Sequence, residues 1–249
     1  MSLDLRAVAK AILPQPAHDA WRRFRFELEQ RSVRNKPLDE VFTEIYETNA
    51  WGKAGDGGKF CSGPGSAPEA TAAYETYIAD FLERHPEIRR VVDIGCGDFQ
   101  VAQRILDRCR AGGRSIAYLG CDIASNVVAY NRERHIRPDV TFQVLDITRA
   151  SPPAADLILI REVLQHLSNV NIAAALANMK HSAPRAVVTE AVPRTPSAPN
   201  RDIASGYRTR DGLNSGVYVD QPPFNLQVLD EYSEPVSHAE IFRTTLVTL

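Results

Sequence analysis

Between Arg90 and Glu190 the chain alternates short apolar runs with stretches of helical spacing, and this alternation narrows the possible folds more than any other feature. Five runs read as buried strands: residues 90–94 (RVVDI), 117–123 (AYLGCDI), 140–145, 156–160 (DLILI) and 185–190. Residues 99–110, 126–135 and 169–181 carry helical patterns between them. Near-continuous apolar strands are buried on both faces, and parallel neighbours need a crossover, which is right-handed. The pattern therefore predicts an open, doubly wound α/β sheet with helices on both sides. Such sheets bind ligands beyond the carboxyl ends of their strands, so the residues ending each run are the candidates for function.

The flanks differ in texture. Helices are predicted over residues 17–34, with Trp21, Phe24 and Leu28 on one face, over 38–49, and over 70–85, stopped by Pro86. A glycine-rich loop fills residues 52–66. This divides the chain into an N-terminal helical extension with a glycine-rich lid, 1–69, and the sheet domain, 70–249. Residues 193–225 form a long aperiodic segment rich in Pro, Arg, Asn and Asp, and a loop of that length in a compact domain is functional or disordered. Residues 242–249 read as a closing strand.

Charge and cysteines narrow the class further. With 29 Lys+Arg against 31 Asp+Glu, the net charge of −2 lacks the basic footprint of a nucleic-acid binder, and no nucleic-acid partner is expected. The four cysteines form no CxxC pair, which speaks against a disulfide scaffold or zinc knuckle. No apolar run reaches the roughly 20 residues of a membrane span, and the first residues make a poor signal peptide. A cytoplasmic protein without membrane insertion is expected.

The most informative stretch is Val91-Val92-Asp93-Ile94-Gly95-Cys96-Gly97-Asp98-Phe99, a strand, a glycine turn and a helix start. Gly95 and Gly97 let the backbone turn tightly. A dinucleotide fingerprint needs a third glycine where Gln100 stands, and has no use for Asp93 inside the strand. A cofactor carrying an ammonium and a carboxylate but no pyrophosphate suits that acid better, and S-adenosylmethionine is one. Asp122, ending the second strand, can accept from both ribose hydroxyls. Asp146 and Ile147, ending the third, can accept from an adenine amino group and cover the ring.

The runs VVDIGCGD, GCDI, LDI and ADLILIREVLQHL together resemble the class I methyltransferases that use S-adenosylmethionine, over roughly residues 70 to 192. The resemblance implies a seven-stranded, mostly parallel, Rossmann-like sheet. It implies Asp93, Gly95 and Gly97 at the methionine end of the cofactor, Asp122 at the ribose, and Asp146 and Ile147 at the adenine, with Ile123 also among the cofactor-binding residues. Arg161, at the end of the fourth strand, and Ser66, in the lid, complete the set. The family often has a third glycine at the position of Phe99, and a bulky side chain there is expected to narrow the pocket or stack near the cofactor.

Polar residues after the fourth strand, Arg161-Glu162-Val163-Leu164-Gln165-His166-Leu167, would face the transferring methyl. His166 is the candidate base for an alcohol acceptor, since its ordinary pKa of about 6.5 leaves it mostly neutral near neutrality. It can equally cap the helix that follows. Glu162 can act as base or orient the histidine, and Glu190, read at the tip of the fifth strand, is a third polar group. Some metal-assisted relatives carry E-V-x-E-H. Here Gln165 replaces the second acid, leaving Glu162 and His166 as a sparse ligand pair for Mg²⁺.

Arg201, Asp202, Tyr207, Arg208 and Asn214 stand out in the long loop, and such a mixture of donors, acceptors and rings suits a polyhydroxylated acceptor. The N-terminal FTEIYETNAWG and SGPGS segments are similar to those of bacterial methyltransferases encoded with surface-polysaccharide functions. The expectation is methylation of a hydroxyl on a sugar or saccharide end. Methylation of nitrogen or carbon in another metabolite, or a non-catalytic cofactor-binding module, are the alternatives. The N-terminal helices can cover the core or build a homodimer face.

Overall fold

All five apolar runs enter one sheet in the computed structural model, which describes residues 36–53 and 58–249. The predicted helix over residues 17–34, the first residues of the chain and the centre of the glycine-rich loop lie outside the described residues. β1 (Arg90–Ile94), β2 (Ala117–Asp122), β3 (Val140–Val144), β4 (Leu157–Arg161) and β5 (Arg185–Pro193) run parallel. β6 (Val228–Pro235) and β7 (Glu240–Thr248) pair antiparallel to each other, and β7 pairs antiparallel to β5. The seven-stranded order is β3-β2-β1-β4-β5-β7-β6. The chain leaves β1 toward one edge and β4 toward the other, so a crevice opens between their carboxyl ends.

The central strands are the most apolar because helices cover both faces. Leu157, Ile158 and Ile160 of β4 are fully buried, as are Val187 and Ala186 of β5. Two strand readings change. β5 continues three residues beyond Glu190 because β7 pairs with it as far as Pro193, opposite Glu240. Glu190 thus lies within the strand and is buried, not at a strand tip. β6 has no counterpart among the predicted strands: it is an edge strand whose residues are mostly exposed or half-buried, so Asp230, Glu231 and Glu234 replace the apolar run that marks a central strand.

The helices are α1 (Leu38–Glu47), α2 (Pro68–Arg84), α3 (Gln100–Ala111), α4 (Ser125–Arg134) and α5 (Asn169–Lys180). α1 buries Val41, Phe42, Ile45 and Tyr46, and its Thr43 carbonyl accepts from the Asn126 side chain of α4 (3.3 Å). Part of the N-terminal extension is therefore fastened onto the sheet domain above the crevice. α5 is capped by Ser168, whose Oγ accepts from the Asn171 N–H, so His166 is not its cap.

Candidate active site

The turn after β1 is pinned to β2 by the Gly95 and Cys96 N–H groups, which both donate to the Cys121 carbonyl (2.7 and 3.0 Å). Gly95 and Gly97 have φ of +73° and +52°, the left-handed region that glycine enters freely. Space matters as much as φ. A Cβ at Gly95 would sit 2.2 Å from Val163 Cγ2, and one at Gly97 2.2 Å from Ser62 Oγ. The loop after β4 and the lid rest directly on the glycine turn.

Phe99 also has a positive φ, +67°, where the family often has glycine. Its ring does not narrow the pocket. It is fully buried, with ring centroids 4.9–5.3 Å from those of His135, Phe142 and Tyr118. Aromatic packing offsets the roughly 1–2 kcal/mol that a left-handed backbone costs a residue with a Cβ.

A cavity of about 380 Å³ opens at the carboxyl ends of the strands, lined among others by Ser66, Gly95, Asp122, Ile123, Asp146, Ile147, Arg161, Glu162 and His166. A smaller one of about 40 Å³ adjoins it at Gly95 and Arg161 and holds Asp93. Gly97 and Glu190 line neither. Asp122 Oδ2 accepts from the Gly97 N–H (3.0 Å) and Oδ1 from the Ala124 N–H (2.9 Å). Burial pushes its pKa up to about 6 against the pull of those amides. An ionised carboxylate accepts about four hydrogen bonds, so Asp122 retains capacity for two ribose hydroxyls. Asp146 Oδ1 is taken by the N–H and hydroxyl of Thr148 (2.9 and 2.6 Å), while Oδ2 has no hydrogen bond among the described residues. Ile123, Leu145 and Ile147 give that corner the apolar walls an adenine ring needs.

Asp93 is pushed up to about 7 by burial; the Tyr118 hydroxyl, donating to it at 2.7 Å, pulls it down, Asp122 pushes it up, and Arg161 pulls it down. A cation placed against it would complete its ionisation. The Arg161 guanidinium lies over the rings of Tyr74 (5.3 Å) and Phe242 (4.8 Å) and donates to the Gly65 carbonyl (2.9 Å), tying the tip of β4 to the lid. The lid carries a reciprocal pair of bonds. The Ser62 N–H donates to Asp98 Oδ2 (3.1 Å), and the Asp98 N–H to Ser62 Oγ (2.8 Å).

Glu162 has a φ of +60° and its Oε1 accepts from the Ala191 N–H (2.6 Å); burial raises its pKa and Arg161 lowers it. His166 ends a single 3-10 turn, Leu164–His166, and its ring faces those of Trp51 (centroids 5.5 Å apart) and Phe42 (6.2 Å, edge-on). Its Nδ1 is buried with no hydrogen-bond partner among the described residues. Burial pulls its pKa down to about 4, backbone groups of Gly206, Arg208 and Tyr207 oppose this, and Arg210 adds to it. The imidazole is neutral at pH 7.

Of the loop residues singled out from the sequence, Tyr207 and Arg208 line the cavity. Arg201, Asp202 and Asn214 do not; they build the loop. Asp202 accepts from the Asn169 N–H (2.7 Å), Arg201 donates to the Leu213 carbonyl (3.3 Å), and Asn214 donates to the Thr195 carbonyl (3.2 Å). Leu38, Phe42 and Tyr46 of α1 also line the cavity, as do Thr148 and Thr209. The α1 stripe is indistinguishable from a core stripe in sequence, whereas Asp146-Ile147-Thr148 is a legible Asx-type turn. Among the described residues no three His, Cys, Asp or Glu side chains gather to hold a metal ion, and no helix is long and apolar enough to cross a membrane.

The crevice, the glycine turn and the acids at successive strand ends define an α/β domain with a cavity at the carboxyl ends of its strands. Residues 92–185 match a family model described as a methyltransferase domain. Among solved structures, magnesium protoporphyrin IX methyltransferase from Synechocystis PCC 6803 with bound S-adenosylmethionine is 11% identical, covers 86% of this chain and 98% of its own, and superposes with a TM-score of 0.55. The [4+2]-cyclase SpnF is 19% identical, with 84% and 93% coverage and a TM-score of 0.55. The curated non-reducing polyketide synthase dpmpA from Macrophomina phaseolina is 30% identical over 108 residues, 38% of this chain, and the chain spans 5% of its length. Residues 92–185 are thus similar to a methyltransferase domain, and the solved structures share the fold of the sheet that carries them.

Proposed function

We propose that the protein transfers the methyl group of S-adenosylmethionine to a hydroxyl of a small polar acceptor, a saccharide hydroxyl before others, with His166 receiving the proton. The observation that carries this reading is the imidazole itself: neutral, buried, its Nδ1 without a hydrogen-bond partner among the described residues, and lining the same cavity as Asp122 and Asp146. When bound, the cofactor supplies an electrophilic methyl on a sulfonium. Asp146, Ile147 and Ile123 suit its adenine end, Asp122 its ribose, and Asp93 with Gly95 its methionine end. Holding donor and acceptor in line is worth roughly 7–11 kcal/mol of the barrier. Removing the hydroxyl proton by a positioned base is worth about 10²–10⁴-fold, so positioning is the larger effect and His166 the sharper test. Trp51 and Phe42 offer apolar faces for the C–H side of a sugar ring, and Tyr207, Arg208 and Asp211 offer polar edges for its hydroxyls.

Carbon methylation is a second reading, supported by the stretch shared with the polyketide synthase, and there the base would take a proton from an acidified C–H. The two separate in one experiment. The protein is incubated with methyl-labelled S-adenosylmethionine and a panel of sugars, saccharides and β-ketothioesters, and each product is identified by mass and by its methyl resonance. An O-methyl sugar supports the first reading; a C-methyl product overturns it. His166→Ala is expected to slow transfer about 10²–10⁴-fold while cofactor binding by calorimetry is unchanged. A loss smaller than about tenfold would point instead to an acceptor, such as a neutral amine, that needs no base.

A further inference from the structure

The turn that carries His166 is gripped by two buried polar side chains that do not line the cavity. Arg210, in the long loop after β5, is 1% exposed, the largest fully buried side chain among the described residues. Its Nη1 donates to the carbonyls of Leu164 (3.3 Å) and Gln165 (3.0 Å), and its Nη2 to the Leu167 carbonyl (2.6 Å) and Asn169 Oδ1 (2.9 Å). Its Nε donates to the Arg201 carbonyl (2.9 Å) within its own loop. From β5, the Glu190 carboxyl group accepts from the N–H groups of Leu164 (2.7 Å) and Gln165 (3.1 Å), while burial and the neighbouring Glu162 push its pKa up to about 8. One short turn thus presents its free amides to a buried carboxyl group and its free carbonyls to a guanidinium, so the backbone groups left open at both of its ends are satisfied.

Bulk alone does not explain such a residue. A buried ion costs several kcal/mol unless its hydrogen bonds are complete, and apolar residues fill volume at less cost. Here the planar fork is spent on the backbone of residues 164–167, a pattern an ammonium cannot reproduce. The same loop adds two contacts: the Gly206 N–H donates to the His166 carbonyl (2.9 Å), and Ser205 Oγ accepts from the Ser168 N–H (2.8 Å). Tyr207, Arg208 and Thr209, directly before Arg210, line the cavity. The stretch that would touch an acceptor therefore runs straight into the residue that holds the base.

We propose that Arg210 and Glu190 are positioning residues, two hydrogen-bonding side chains acting through the Leu164–His166 turn, which fix the His166 ring and make its placement depend on the acceptor loop being seated. The inference rests on His166 being the base, and its test separates the two. In the full-length protein with S-adenosylmethionine bound, the His166 ring resonance is assigned by its loss in His166→Gln; the neighbouring rings of Trp51 and Phe42 displace it from the position of an exposed histidine. Arg210→Gln is expected to move that resonance toward the exposed position and to speed amide hydrogen exchange across residues 164–167. Arg210→Lys shifts it part of the way. Methyl transfer to the acceptor identified in the panel falls in kcat by up to the order of 10²-fold, as for a misplaced reacting group, while the KM for S-adenosylmethionine stays put. Glu190→Gln combined with Arg210→Gln loses less than the two single losses together, because both act on one turn. A wild-type ring resonance and wild-type exchange in a variant that binds S-adenosylmethionine overturns the proposal, and Arg210→Lys decides it by the same readout if Arg210→Gln fails to fold. Undiminished transfer by His166→Gln strikes the assignment of the base; the clamp still stands or falls on the ring resonance.

Discussion

Gly95 shows how one position can be legible in sequence while its reason is not. A glycine pair after an apolar strand reads as a place where a cofactor approaches the backbone. The nearest obstacle is the protein itself, since a Cβ would meet Val163 Cγ2 at 2.2 Å. Gly95→Ala therefore carries two penalties, a left-handed backbone worth roughly 1–2 kcal/mol and overpacking worth roughly 1–3 kcal/mol. It is expected to lower the melting temperature and weaken S-adenosylmethionine binding. Gly95→Ala combined with Val163→Ala should recover the overpacking part in a thermal melt, because the offending methyl is gone. No recovery would mean that the backbone angle alone fixes glycine here. Phe99 is the counterexample: its φ is as unfavourable, yet its ring has Tyr118, His135 and Phe142 to pack on, and the position tolerates a side chain that points away from the cavity.

Among the elements, the lid makes the clearest mechanical statement. The segment around Pro64–Ser66 is tied to the glycine turn by the Ser62–Asp98 bonds and to β4 by Arg161, with Tyr46 of α1 against Ser62 Oγ (3.4 Å). Ser62→Ala removes the acceptor for the Asp98 N–H, a net loss of about 0.5–1.5 kcal/mol, or up to about tenfold in affinity. Stopped-flow displacement should show the change as faster release of S-adenosylmethionine; an unchanged release rate would separate the lid from cofactor retention. The sheet was legible because burial on both faces leaves continuous apolar runs, and the strand-tip acids followed from it. β6 was not, because an edge strand keeps Asp230, Glu231 and Glu234 on view. Nor was the part played by α1, since Phe42 and Tyr46 repeat at the spacing any buried helix shows, and only the packing reveals that the stripe ends over the cavity. In the long loop, composition marked the right segment and could not divide it. Tyr207 and Arg208 reach the cavity, while Arg201, Asp202 and Asn214 satisfy backbone groups that a loop of this length must satisfy internally.

At the scale of the whole molecule, the buried acids of the crevice make both stability and binding depend on pH, in opposite senses. Burial raises Asp93 to about 7 and Asp122 to about 6, against an ordinary 3.8. A carboxyl whose folded pKa is raised holds its proton longer in the folded state, so its stabilisation is complete below about 3.8 and is lost as pH climbs through the folded values. His166 works the other way: lowered from 6.5 to about 4, it stabilises above about 6.5 and loses that contribution as pH falls through about 4. In the proposed site the cofactor's methionine end lies at Asp93, and binding there would reverse the cost, because an ammonium beside a carboxyl favours its ionised form. S-adenosylmethionine should therefore bind more tightly as pH rises from about 5 toward about 7, with release of a fraction of a proton near neutrality. Calorimetry in buffers of different ionisation enthalpy measures that proton directly, and Asp93→Asn should abolish most of it while flattening the pH dependence of the dissociation constant. Proton release that persists undiminished in Asp93→Asn would place the coupling at Asp122. Binding with no proton exchange at any pH would mean that Asp93 is already ionised in the free protein, with the Tyr118 hydroxyl and Arg161 outweighing its burial.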